Sequence, residues 1–210
     1  MPHDYQNRTE SGVGWQEADK VFIMLHGRGA PASDIMGLAP HLKAGKVRFI
    51  APEADQYTWY PYGFMEHPSI NEPYLSDALK MIGNIEEEVV NKGFETNEIF
   101  LLGFSQGACL ASEYAARNPK KYGGVFALTG GLIGDDIAPS NYEGNMQNTP
   151  IFLANSDQDP HIPVERSKET EEIFNRLNGD VCLKIYPGMP HTVNEDEIRI
   201  INEAYLKSSR

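Results

Sequence analysis

The five residues Gly103-Phe104-Ser105-Gln106-Gly107 constrain the fold more than any other stretch, because an apolar run at 99–102 precedes them and a segment of helical character at 108–117 follows. A strand must therefore turn sharply into a helix. A serine in so tight a turn is held at positive φ, and the residues two before and two after it are pressed together, which is why both are glycine. The expected position of Ser105 is the carboxyl edge of a parallel sheet, with the unpaired N–H groups of a helix's first turn behind it. That makes Ser105 a candidate nucleophile. The same pattern also occurs in ordinary loops, so the reading depends on partners elsewhere in the chain.

The remaining sequence alternates strand and helix signals. Apolar runs at 21–25, 47–50, 99–102, 125–128, 151–154 and 181–186 read as strands. Helical spacing is expected at 76–92, 108–117, 164–177 and 195–206, with a short helix that has Ser33 or Asp34 near its start. Ser76 is the expected cap of the 76–92 helix, Gly93 its stop, and Pro119 ends the helix after the serine turn. The class is α/β, with a mainly parallel central sheet, helices on both faces and no large lid domain. With 210 residues and no composition shift or linker, one domain over 1–210 is expected.

Charge narrows the partners. Eighteen Lys and Arg against 30 Asp and Glu give a formal charge of −12, which repels nucleic acid and anionic bilayers. Residues 1–14 are polar, and no run is long enough to span a bilayer, so a cytoplasmic protein without membrane insertion is expected. Only Cys109 and Cys182 are present, without metal-ligand spacing, so neither a disulfide framework nor a metal site is expected. Cys109, on the helix after the serine turn, reads as packing.

In an open parallel sheet, ligands gather beyond the carboxyl ends of the strands, so partners for Ser105 should lie on the loops there. After the 151–154 strand comes Asn155-Ser156-Asp157-Gln158-Asp159-Pro160-His161-Ile162-Pro163; after the 181–186 strand comes Pro187-Gly188-Met189-Pro190-His191. An imidazole can take the serine proton and return it to a leaving group, while a carboxylate holds the ring's tautomer. His191 is the candidate base. Asp159 is preferred over Asp157 as the acid because Pro160 and Pro163 stiffen its turn, with Asp157 left as the alternative. His161 is too near the acid in the chain to face it across a site and reads as a rim residue.

Two N–H donors are needed for a developing oxyanion: the amide of Gln106 is one, and that of Arg28, in the glycine-rich loop after the first core strand, is the other. His26 reads as a brace for that loop. The aromatic segment at 57–65 could equally wall a pocket or fold onto the core; on the first reading Trp59 and Phe64, with Leu132 and Ile133, line the site.

Leu25-His26-Gly27-Arg28-Gly29, Gly103-Phe104-Ser105-Gln106-Gly107, Asp159-Pro160-His161-Ile162-Pro163 and Tyr186-Pro187-Gly188-Met189-Pro190-His191 together resemble, in order, the signatures of the phospholipase/carboxylesterase family of α/β-hydrolases, which includes the acyl-protein thioesterases. The arginine in the first motif is similar to a bacterial carboxylesterase-like branch. Asn155-Ser156 stands where the family usually carries His-Gly, and Pro190 where a glycine is common. The resemblance implies a triad of Ser105, Asp159 and His191, an oxyanion hole from the amides of Arg28 and Gln106, no cofactor, and frequent dimerisation. The expected activity is that of a serine carboxylesterase on small acyl or aryl esters. An acyl-protein thioesterase or lysophospholipase would use the same triad, and a non-catalytic ligand-binding protein on the same fold is the alternative of a different class.

Overall fold

The structure, a computed structural model, describes residues 3–206. The expected domain of 1–210 extends past these at both ends. Six strands run parallel: β2 (Lys20–Leu25), β3 (Val47–Pro52), β4 (Ile99–Phe104), β5 (Gly124–Leu128), β6 (Pro150–Ser156) and β7 (Asp180–Tyr186). With β1 (Arg8–Gly12) they form one sheet of order β1-β3-β2-β4-β5-β6-β7.

The reason the central strands read as unbroken apolar runs is that both faces of the sheet are covered. Along β2, Val21, Ile23 and Leu25 face one apolar layer, while Phe22 and Met24 face the other. The period of two recurs in β4, where Ile99 and Leu101 alternate with Phe100 and Leu102. The first layer is closed by residues of α2 (Tyr74–Asn91), α3 (Gln106–Arg117) and α4 (Val164–Arg176). The second is closed by α1 (Ala32–Met36) and by Ile201 and Leu206, just beyond α5 (Glu195–Ile200).

Three features differ from the sequence reading. β1 has no sequence signal because it is a polar edge strand, pairing antiparallel with β3 alone and held by ion pairs: Arg8 meets Glu10 and Glu88, and Arg48 meets Glu10. Ser76 is not the cap of α2. That helix opens one residue after Pro73, and Ser76 lies in its first turn, where its amide and hydroxyl both donate to Glu72, at 3.1 and 2.7 Å. The C-terminal helix is regular only to Ile200 and then widens into a π-helical turn over Ile201–Tyr205. Gly93 does follow the end of α2, in the left-handed region at φ 103°.

Candidate active site

Because β2, β4, β6 and β7 are parallel, the loops that follow them open on the same edge of the sheet. β4 and α3 are joined by Ser105 alone, at φ 54° and ψ −120°. The two flanking glycines are sterically required. A Cβ on Gly103 would stand 2.2 Å from the Gly107 carbonyl oxygen, and a Cβ on Gly107 would stand 2.1 Å from that of Leu25. The turn thus brings α3 directly against β2 and lifts the serine side chain clear of both.

The loops after β6 and β7 deliver the other two residues. Ser105 Oγ lies 2.8 Å from His191 Nε2, and His191 Nδ1 lies 2.7 Å from Asp159 Oδ2. The Asp159 side chain is buried, and its other oxygen accepts the amides of His161 and Ile162, both at 2.8 Å. Burial opposes ionisation of this carboxyl, but the hydrogen bonds from His191 and the two amides outweigh it and hold Asp159 below the ordinary carboxylate range. An ionised Asp159 accepts the proton on Nδ1, so Nε2 is left as the acceptor for the serine hydroxyl. Asp157 takes a different part: it accepts the Gly188 amide at 2.6 Å and so joins the acid loop to the base loop. Asn155 anchors the same loop, its Nδ2 donating to Ile162 O and Ser167 Oγ.

Neither the Arg28 nor the Gln106 amide donates to an acceptor among the described residues. Both residues line the cleft above Ser105, and Gln106 opens α3, where backbone N–H groups have no carbonyl behind them. Their side chains are occupied elsewhere. Arg28 donates to Pro61 O at 2.9 Å and Tyr62 O at 2.6 Å, while Gln106 accepts from Trp59 N and donates to Tyr60 O. Each oxyanion-hole candidate therefore also ties down the aromatic segment at 57–65.

His26 braces the first loop. Its Nδ1 bonds Gly27 O at 2.8 Å, its Nε2 accepts the Ala54 amide at 3.0 Å, and burial lowers its pKa, so it is a neutral, committed ring. The cleft, about 390 Å³, is walled by Tyr60, Phe64, Cys109, His161 and Ile162 around Ser105 and His191. His161 is an exposed rim residue set edge-on to His191, ring centroids 4.9 Å apart. Of the four expected lining residues only Phe64 reaches the cleft. Trp59 is instead fully buried beneath the loop, stacked on His26 with its indole N–H donating to His26 O. Leu132 and Ile133 are buried because Thr170 and Glu113 capture their amides and Arg166 captures Leu132 O. Tyr60, Gly63, Cys109 and Ile162 line the cleft and are not among those four.

Among the described residues, no group of three or more His, Cys, Asp or Glu is gathered as a metal ion would need. No described helix is long and apolar enough to cross a membrane.

Known proteins carry the same arrangement of chain. Acyl-protein thioesterase 1 of Kluyveromyces lactis is 30% identical over 205 residues, covering 88% of this chain and 90% of its own. Carboxylesterase SOBER1 of Arabidopsis thaliana is 24% identical over 138 residues, 66% of this chain and 60% of its own. The crystal structure of a phospholipase/carboxylesterase from Dyadobacter fermentans matches with a TM-score of 0.95 at 43% identity, with 99% of each chain covered. The family model described as Phospholipase/Carboxylesterase matches residues 12–208. The chain therefore belongs to the phospholipase/carboxylesterase family, hydrolases of the α/β-hydrolase fold.

Proposed function

We propose that the protein is a serine carboxylesterase that hydrolyses small acyl or aryl esters through an acyl-enzyme. The observation that carries this reading is the unbroken run of hydrogen bonds from Asp159 through His191 to Ser105. In the first step Ser105 Oγ bonds the acyl carbon as its proton passes to His191 Nε2. The carbonyl electron pair moves onto oxygen, where the amides of Arg28 and Gln106 stabilise it; one such donor is typically worth about 10²–10³ in rate. Collapse breaks the bond to the leaving group, which takes the proton from His191. Water then repeats the sequence: it gives a proton to His191, bonds the acyl carbon, and the Ser105 ester bond breaks as that proton returns to Oγ.

Asp159 keeps its proton-free state throughout and offsets the charge of the imidazolium that forms in each half-reaction. The site volume favours short acyl groups, since a cleft of about 390 Å³ is near the small end of ligand pockets. Thioesters are the second reading, favoured by the relative in Kluyveromyces lactis that is named a thioesterase. A thiolate leaves with less help from His191 than an alkoxide does.

p-Nitrophenyl esters of graded chain length, with matched thioesters, test both. We expect kcat/KM to peak at short acyl chains and to vanish in Ser105→Ala. Turnover that survives that substitution contradicts the mechanism, and a uniform preference for the thioester of each pair selects the second reading.

A further inference from the structure

Buried side-chain atoms without a hydrogen-bond partner among the described residues belong to Arg48, Tyr60, Ser112, Thr129 and Glu197, and of these residues only Tyr60 lines the Ser105 cleft. Its side chain is 1% exposed. A phenylalanine would fill the same space without leaving a desolvated hydroxyl, so the oxygen is costly unless something bonds it. The neighbouring Cys109 thiol meets that need only weakly: the two groups are close enough to shift each other's ionisation, but a thiol is a weak acceptor and the contact does not make a well-aligned hydrogen bond.

Both groups are fixed in their neutral forms. Burial drives the Tyr60 phenol well above its ordinary pKa and pushes the Cys109 thiol up to about 12. Tyr60 is therefore a hydrogen-bond donor, and Cys109 is neither nucleophile nor anion. The backbone on both sides of the tyrosine is held, since Gln106 bonds Trp59 N and Tyr60 O and Arg28 bonds Pro61 O. The ring cannot readily swing its hydroxyl out to water.

The leaving group must lie beside His191, which protonates it, and the wall there is completed by the exposed His161. The buried floor of Tyr60 and Cys109 is left to the acyl group. Both residues line the same cleft as Ser105, so an acyl group carried on Ser105 lies beside this floor.

We propose that Tyr60 is a specificity-determining residue: its hydroxyl donates to an oxygen on a short acyl group, selecting oxygen-bearing acyl esters over their alkyl isosteres. This rests on the esterase reading of the same site. Cys109 closes the pocket below that oxygen and limits chain length.

Two isosteric pairs test it, p-nitrophenyl 3-hydroxybutanoate against 3-methylbutanoate, and 4-oxopentanoate against 4-methylpentanoate. Each kcat/KM ratio is divided by the ratio for alkaline hydrolysis, which removes the intrinsic reactivity difference. Wild type is expected to favour the oxygenated member of at least one pair by about tenfold or more, as sites built to bond a substrate oxygen do. In Tyr60→Phe that ratio falls to about one through loss on the oxygenated ester. A role in packing alone would lower both members together and leave the ratio intact. Equal ratios in wild type and Tyr60→Phe, or no preference in wild type, overturn the inference while leaving the esterase reading standing. Absence of Ser105-dependent turnover of all four esters overturns both.

Discussion

Asp157 and Asp159 are separated by one residue, yet only Asp159 reaches the imidazole. Asp159→Asn should lower kcat by roughly 10⁴, because the amide leaves His191 without the partner that sets its tautomer. Asp157→Asn should cost less than about tenfold, since the group it loses steadies a loop and touches no reacting atom. Comparable losses in the two variants would contradict the assignment. A second carboxyl gives a pH effect. Glu197 accepts the Asn194 amide with one oxygen and is unpartnered at the other. Burial and the nearby Asp196 raise its pKa from 4.5 to about 7 against the opposing bond from Asn194. Between those values the folded chain keeps a proton that the unfolded chain releases, so stability falls as pH rises through the window. Glu197→Gln should melt with wild type near pH 4.5 and roughly 2–6 °C above it at pH 8. A gap that does not change with pH would contradict this. At this scale the sequence marks Ser105, Asp159 and His191, because chemistry-bearing types sit just past strand ends. It does not separate Phe64 from Trp59, Leu132 and Ile133, since which way an apolar side chain turns is decided by distant partners such as His26 O, Glu113 and Thr170.

The strand-turn-helix element depends on contacts between backbones. Gly107→Ala drives a methyl into the Leu25 carbonyl, which the sheet holds in place, so we expect a loss of several kcal/mol or failure to accumulate folded protein. Gly29→Ala is the control. Its φ is 78° but nothing lies within 4 Å of the added carbon, so only the backbone penalty of about 1–2 kcal/mol applies. Urea midpoints of the two variants check this, and similar shifts would contradict the steric account. The elements easiest to read are those buried on both faces, since their apolar runs have no other use. β1 escaped notice because its interactions are charged pairs at the sheet edge, and the start of α2 because Glu72, ahead of the helix, accepts a first-turn amide as a capping side chain would.

Across the whole molecule, one edge of a mainly parallel sheet gathers the proposed nucleophile Ser105, the proposed base His191 and acid Asp159, and two unpaired amides from loops that are distant in sequence. Arg28 is the one formally charged side chain lining the cleft, and no carboxylate lines it. The measurement that bears most directly on the central claim is intact-protein mass after reaction with a fluorophosphonate. The account predicts one adduct per folded chain, mapped to Ser105, absent from Ser105→Ala and strongly slowed in His191→Ala. A folded wild-type protein that takes up no label, or a Ser105→Ala variant labelled as fast as wild type, would contradict it.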